Sequence, residues 1–283
     1  MTSLDKSNPN INEQYYNEPL GRSAPENYER YFVPVIAQPL AEDLVRMAMI
    51  QPREHVLDVA CGTGIVARLA SQEVNKRGAV CALDINPGML AVARTIPLPG
   101  QPIAWSEASA EDIPFPDETF DVAFCQLSLQ FMENKSAALN EIRRTLVPGG
   151  RFYLNVPGPA GGLFNIFIEE LAQHVSPEAA GFASRVFSLH STSDLQQLME
   201  GTGYHRIDIR ADTNVFSLPS PKEFLWQYIQ STPLVGMVTG TGNKTQQALE
   251  RSITARWQRF EQDGEGMAYK QRIITLSARK KKD

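Results

Sequence analysis

Residues 55–70, "HVLDVACGTGIVARLA", combine an apolar run, a turn with two glycines and a stretch with helical spacing of aliphatic side chains. The first six residues are typical of a buried β-strand, and the residues from Ile65 onward of an amphipathic helix. Gly62 and Gly64 stand where such a turn needs positive φ angles and lets a ligand approach the backbone N–H groups. The stretch therefore predicts a strand, a turn and a helix that together hold an adenosine cofactor.

Strands and helices alternate in the same way from residue 55 to residue 155, and two further strands are expected at 205–211 and 271–279. Strands are predicted at 55–60, 79–85, 103–108, 120–129 and 151–156, and helices at 64–74, 87–95 and 135–146. This alternation predicts an α/β fold: a Rossmann-like, doubly wound sheet of about seven strands, mostly parallel with an antiparallel last strand.

The 283 residues are interpreted as one enlarged domain, 1–283. Its core is expected at about 45–156, 191–213 and 266–283. Segments 1–45, 157–190 and 214–265 have no expected place in the sheet. They are rich in aromatic residues and helical spacing, so we expect them to form helical caps over one edge of the sheet. Within the third cap, 220–238 reads as an amphipathic helix that lines an apolar pocket, or contacts a membrane or a second subunit.

Bulk properties exclude several classes of protein. A formal charge of −5 gives no general attraction to nucleic acid, and no apolar run approaches the length of a transmembrane segment. Residues 1–21 are polar and lack the apolar region of a secretory signal, so a cytoplasmic location is expected. The basic tail 278–283 is expected to be a solvated, frayed end. A homodimer is compatible with the sequence.

Metal binding is not expected. The three cysteines, Cys61, Cys81 and Cys125, show no C-x-x-C spacing and are interpreted as reduced, buried thiols.

Two acids bear on the identity of the cofactor. Residues 62–67 fit the G-x-G-x-x-A form of a dinucleotide site, which keeps a nicotinamide cofactor open. Asp58, however, would repel a pyrophosphate at the helix N-terminus, whereas it suits the amino group and sulfonium of S-adenosyl-L-methionine. Asp84 follows Gly64 by 20 residues, at the end of the second strand, where a carboxylate can accept both ribose hydroxyl hydrogens.

Four motifs resemble one family in their order. "LDVACGTG" (57–64) is similar to the D-x-G-x-G-x-G motif of class I S-adenosylmethionine-dependent methyltransferases, with Ala60 in place of the first glycine. "LDINPGML" (83–90), "SAEDIPFPDETFDVAF" (109–124) and "LVPGGRFYL" (146–154) resemble later motifs of that family. Together they resemble the small-molecule methyltransferases of ubiquinone and menaquinone biosynthesis, over about residues 45–155.

The resemblance and the local chemistry imply a set of cofactor contacts. Ile85 and Met89 offer apolar surface to the adenine, although core packing explains Met89 equally well. The family usually has an aspartate where this chain has Ser109. A tyrosine of the N-terminal segment reaches the methionine part of the cofactor or packs on the core. The cofactor-binding residues expected on these grounds are Asp58, Ala60, Gly62, Gly64, Asp84, Ile85, Met89, Ser109, Ala110, Glu111, Gln126, Leu127 and Tyr28.

The implied reaction is an in-line transfer of a methyl group to a small, apolar or aromatic acceptor, which leaves S-adenosyl-L-homocysteine. Carbon, oxygen and nitrogen acceptors all stay open. His174 and His190 are the candidate bases, with a structural role as the alternative for each. A nicotinamide-dependent oxidoreductase and a non-catalytic S-adenosylmethionine-binding protein are the competing hypotheses.

Overall fold

The computed structural model describes residues 23–262 and 266–282. Residues 1–22 of the first cap, 263–265 of the third cap and Asp283 of the basic tail lie outside the described residues. No helix within the described ranges is long and apolar enough to cross a membrane.

A seven-stranded sheet forms the centre of the molecule, in the order β3-β2-β1-β4-β5-β7-β6. The strands are β1 (His55–Val59), β2 (Ala79–Asp84), β3 (Ile103–Glu107), β4 (Phe120–Gln126), β5 (Leu146–Pro157), β6 (His205–Leu218) and β7 (Met267–Arg279). The five strands β1 to β5 pair in parallel, and β7 runs antiparallel to both β5 and β6. The predicted fold class is therefore confirmed, including the antiparallel last strand.

Helices flank the sheet and extend beyond its carboxyl edge. They are α1 (Ala24–Asn27), a π-helix (Tyr28–Ala37), α2 (Gln38–Ala48), α3 (Ile65–Glu73), α4 (Pro87–Thr95), α5 (Lys135–Thr145), α6 (Gly162–His174), α7 (Pro177–Arg185), α8 (Thr192–Gly201), α9 (Pro221–Gln230), α10 (Leu234–Thr239) and α11 (Asn243–Trp257). Asn86 caps α4 by accepting hydrogen bonds from the N–H groups of Gly88 and Met89, and Pro87 occupies the first helical position.

The central strands form because their side chains are covered on both faces. Val56, Leu57 and Val59 of β1 are fully buried, as an apolar run in a parallel sheet requires. Two apolar clusters pack against the two faces of this sheet. A third cluster joins the π-helix to α6, α7, α9, α10 and α11 and to the paired ends of β6 and β7. This third cluster encloses the space beyond the carboxyl ends of the strands.

Several local features differ from the sequence expectations, among them the start of β5, which lies at Leu146 rather than at residue 151. Strand β6 continues to Leu218, past the expected core boundary at residue 213, because it pairs with β7 as far as Met267. In the basic tail, the Lys280 ammonium donates to the Leu146 carbonyl oxygen at 2.8 Å and lies 3.2 Å from Glu118. The expectation of a frayed tail is therefore wrong for Lys280, because its ammonium group is hydrogen-bonded to the first residue of β5.

Candidate cofactor and acceptor site

The turn after β1 has a left-handed backbone at three positions. Ala60, Gly62 and Gly64 have φ angles of 54°, 56° and 84°. A Cβ on Gly64 would lie 2.3 Å from Cη2 of Trp105, whereas a Cβ on Gly62 would come no closer than 3.8 Å to Tyr28. Gly64 is thus required by its φ angle and by the Trp105 ring, which sequence reasoning missed. The signal in the sequence was an aromatic residue in the predicted third strand, which the structure places at the edge of the sheet with β2 between it and β1.

Asp58 lies beneath this turn. Its Oδ2 accepts a hydrogen bond of 2.9 Å from the N–H of Ala67, in the first turn of α3. The carboxyl group is only 1% exposed. Its pKa is raised to about 8, mainly by burial and to a smaller extent by the neighbouring Asp84, against the opposing effects of the Ala67 hydrogen bond and of Arg68. Asp58 therefore fixes the start of α3 and holds a negative charge there only at a cost.

Asp84 connects the ends of β2 and of the glycine turn. Its Oδ2 accepts from the N–H of Gly62 at 2.7 Å, and its Oδ1 accepts from the N–H of Asn86 at 2.8 Å. Burial raises the pKa of this carboxyl as well, despite these hydrogen bonds. Two carboxyl groups with raised pKa values therefore converge on the turn, and the energy of both would fall if a cation lay beside them.

The N-terminal π-helix covers the glycine turn. Tyr28 lies at its start with a half-buried side chain whose ring stacks on Phe32, the ring centroids being 4.9 Å apart. Burial raises the Tyr28 pKa, and so, to a smaller extent, does the negative charge of Asp84. Glu29 forms an ion pair of 2.8 Å with Arg68, which also donates to the carbonyl oxygen of Thr63 in the turn. This ion pair, which no spacing in the sequence indicates, fastens the helix to the turn.

The loop after β3 is held mainly by α5. Arg144 donates to the carbonyl oxygens of Ile113 and Phe115, at 2.9 Å and 2.8 Å. Within the loop, the Ser109 hydroxyl accepts from the N–H of Glu111, whose Oε1 accepts from the N–H of Asn134. The side chains of Ser109 and Glu111 thus already make contacts that shape the loop.

The remaining predicted contacts surround the same edge of the sheet. Ala110 is buried, Met89 is half-buried, and Ile85 is 71% exposed at the end of β2. The Gln126 side chain donates to the carbonyl oxygen of Ala37 at 2.7 Å, which connects β4 to the π-helix. Leu127 follows with a positive φ of 51°, and its N–H donates to the backbone oxygen of Asn155.

These residues fit S-adenosylmethionine better than a dinucleotide. A cationic ligand would stabilise the ionised forms of the two buried carboxyl groups, whereas a pyrophosphate would raise their pKa values further. The Thr63 hydroxyl oxygen is buried beside them without a hydrogen-bond partner. The exposed Ile85 offers apolar surface at the end of β2, next to the acid expected to bind ribose.

An apolar cavity of about 150 Å³ adjoins this seat. Tyr28 and Leu127 line it on the side of the glycine turn and β4. The rest of its wall comes from the turn that follows β4, from the caps and from the ends of β5, β6 and β7. That part consists of Phe32, Ile36, Leu40, Gln130, Phe131, Pro157, Phe164, Phe182, Val186, Phe187, Phe216, Tyr228, Thr232, Tyr269, Gln271 and Ile273. We call this space the acceptor cavity.

Known proteins share both the sequence motifs and the fold. Residues 57–154 match the family described as "Methyltransferase domain". The ubiquinone/menaquinone biosynthesis C-methyltransferase UbiE of Cupriavidus pinatubonensis is 32% identical over 178 residues, which cover 58% of this chain and 72% of that protein. The chain belongs to the class I S-adenosylmethionine-dependent methyltransferases.

Solved structures agree in the fold of this methyltransferase. A methyltransferase from Bacillus halodurans C-125 superimposes with a TM-score of 0.59 at 23% identity, covering 85% of this chain and 98% of that one. Phosphoethanolamine N-methyltransferase 2 of Haemonchus contortus, solved in complex with S-adenosyl-L-methionine, has a TM-score of 0.58 at 18% identity. That comparison covers 98% of this chain and 61% of the other.

Membership in this family decides between the competing hypotheses. The methyltransferase is an enzyme that uses S-adenosylmethionine, so both the nicotinamide-dependent oxidoreductase and the non-catalytic binding protein are rejected. No group of three or more His, Cys, Asp and Glu residues that could hold a metal ion occurs in 23–262 and 266–282.

The two histidines proposed as bases lie away from the acceptor cavity. His174, at the end of α6, is 3.2 Å from Glu170, which in turn pairs with Arg256. His190 makes a ring-nitrogen hydrogen bond of 2.8 Å with the carbonyl oxygen of Phe187. Neither ring lines the cavity, and each already has a structural partner. Their assignment as bases therefore has no geometric support.

Proposed function

We propose that this methyltransferase transfers a methyl group to a ring carbon of a small aromatic acceptor whose ring carries a hydroxyl group. The observation that carries the proposal is the apolar acceptor cavity beside the glycine turn. An apolar cavity of about 150 Å³ is large enough for a benzene-sized ring. The C-methyltransferase name of the Cupriavidus relative supports carbon as the methylated atom.

The cofactor contacts are part of this proposal. We expect Asp84 to accept hydrogen bonds from the ribose hydroxyls, and Ile85 and Met89 to contact the adenine. Ser109, Ala110 and Glu111 are expected to contact the edge of the adenine ring. They lie in the loop to which Arg144 donates hydrogen bonds. Ala60, Gly62, Gly64 and Asp58 would form the base of the seat, with Tyr28, Gln126 and Leu127 around the methionine part.

When bound, S-adenosylmethionine supplies a methyl group on a positively charged sulfur, which needs only an aligned nucleophile. Side chains that line the cavity align the acceptor ring: Phe164 of α6, Tyr228 of α9 and Phe216 of β6 are all buried there. They also exclude water, which would otherwise solvate the charged reactants. A hydroxyl group on the ring makes the neighbouring carbon electron-rich. After the new bond has formed, that carbon gives up its proton to solvent water as the product leaves the cavity.

The test is methyl transfer from isotope-labelled S-adenosylmethionine to a panel of phenols and quinols, with NMR of the product to distinguish carbon from oxygen methylation. Calorimetric binding of S-adenosylhomocysteine serves as the control for an intact cofactor seat. Label on a ring carbon is the expected result. Label on oxygen would reject the carbon assignment, and an intact seat without transfer to any member would reject the acceptor class.

A further inference from the structure

The acceptor cavity has a neutral wall. Within 23–262 and 266–282, none of the side chains that line it is Asp, Glu, His, Lys or Arg. Burial raises the pKa of Tyr28, Tyr228 and Tyr269, so these three phenols keep their protons at neutral pH. Recognition of a polar group on the acceptor must therefore come from uncharged hydrogen-bonding atoms.

Several of these uncharged groups are satisfied within the protein. The Tyr269 hydroxyl donates to Oε1 of Gln271, and Nε2 of Gln271 donates to the carbonyl oxygen of Arg272 at 2.8 Å. The Thr232 hydroxyl donates to the carbonyl oxygen of Ile229 at 3.1 Å. Each of these three side chains already has a hydrogen-bond partner within the protein, so none of them is left with the cost of a buried polar group without any partner.

Gln130 differs from them in one atom. It follows β4, lines the cavity and is 3% exposed. Its Nε2 donates to the carbonyl oxygen of Leu127 at 2.8 Å, which fixes the orientation of the amide. Its Oε1 is buried and has no hydrogen-bond partner. A buried carbonyl oxygen without a partner is costly, so a ligand that donates to it gains affinity.

We propose that Gln130 determines acceptor specificity: its Oε1 accepts a hydrogen bond from the hydroxyl group of the acceptor ring. This inference rests on the proposed function. The amide oxygen can accept but cannot donate, so it selects a ring with a hydroxyl over a ring with a methyl group in its place. Because an amide does not take up the proton at neutral pH, the hydroxyl stays protonated while Gln130 positions the neighbouring carbon.

The test compares two probes of nearly equal shape, p-cresol and p-xylene, in which a methyl group replaces the hydroxyl. Their dissociation constants are measured calorimetrically with the wild-type protein, Gln130→Met and Gln246→Met, all saturated with S-adenosylhomocysteine. Gln246 is the matched control, because it is also buried and its Oε1 also has no partner, but it does not line the cavity. We expect Gln130→Met to raise the dissociation constant of p-cresol about tenfold and to leave that of p-xylene unchanged, as loss of one hydrogen bond implies.

The outcomes separate the two proposals. If the preference for p-cresol is the same in Gln130→Met as in the wild type, or if Gln246→Met changes it equally, the role of Gln130 is refuted while the acceptor class stands. Equal affinity of the wild-type protein for the two probes would also refute the role of Gln130. This comparison needs no variant, so it remains decisive if Gln130→Met folds poorly. If neither probe binds the loaded wild-type protein, the acceptor class itself fails and the role of Gln130 fails with it.

Discussion

Replacing Asp58 by asparagine should remove a pH-dependent loss of stability from the ligand-free protein. The folded-state pKa of this carboxyl is about 8, above its ordinary value of 3.8. The folded protein therefore holds a proton that the unfolded chain releases between these two pH values. The stability that this group contributes is fully present below pH 4 and is lost as the pH rises to 8.

The size of the effect follows from that pKa. A rise from 3.8 to about 8, at roughly 1.4 kcal/mol per pKa unit, corresponds to a loss on the order of 5 kcal/mol between pH 4 and pH 8. Asparagine does not titrate, and its amide oxygen can still accept from the N–H of Ala67. Asp58→Asn should therefore be close to the wild type in stability at pH 4 and several kcal/mol more stable at pH 8.

Urea unfolding of both proteins without ligand, from pH 4 to pH 9, measures this difference directly. Asp212→Asn, on the exposed side of β6, is the control and should follow the wild type at every pH. Parallel curves for Asp58→Asn and the wild type would refute the reasoning. The same substitution should weaken S-adenosylmethionine binding at pH 8, because it removes a negative charge next to a cationic ligand.

Three further substitutions test the glycine turn and its acids. Gly64→Ala should lower the free energy of unfolding, measured in urea, by more than about 2 kcal/mol, since its Cβ would lie 2.3 Å from Trp105. If the Gly64→Ala, Trp105→Leu double variant regains stability, the Trp105 ring is the cause. Ala60→Gly removes the Cβ from a residue with a φ of 54°, so the free energy of unfolding should stay within about 1 kcal/mol of the wild type. A larger change would contradict a turn that needs only this backbone conformation at residue 60. Asp84→Ala should lower the affinity for S-adenosylhomocysteine at least tenfold, measured by calorimetry, as loss of charge-assisted hydrogen bonds implies. Unchanged affinity would refute the role of Asp84 in ribose binding.

The cofactor half of the molecule could be predicted because its signals are local. Each of β1, β2 and β4 is an apolar run covered on both faces, followed by turn residues whose chemistry the sequence displays. The helix cap at Asn86 follows from the same short-range pattern. Family motifs in this region added the identity of the cofactor.

The acceptor cavity could not be predicted in the same way. Phe32, Phe164, Phe216, Tyr228 and Tyr269 come from five separate elements and meet only in the folded protein. The sequence indicated one part of this wall, the segment 220–238 that contains Tyr228. The other four residues have no spacing in the sequence that relates them to this segment or to one another. The same limit applies to contacts made across elements, such as that between Gly64 and Trp105, because a packing partner leaves no periodic signal.

The position of β7 in the sheet has a consequence for how the chain acquires its shape during synthesis. β7 lies between β5 and β6, although it follows β6 in the chain. The five parallel strands can pair as they emerge from the ribosome, but β6 has no neighbour until β7 has been made. Until then one edge of β5 stays open to mispairing, and Tyr269 and Ile273 are missing from the acceptor wall. A nascent chain can therefore form the glycine turn well before it can complete the cavity that we propose for the acceptor.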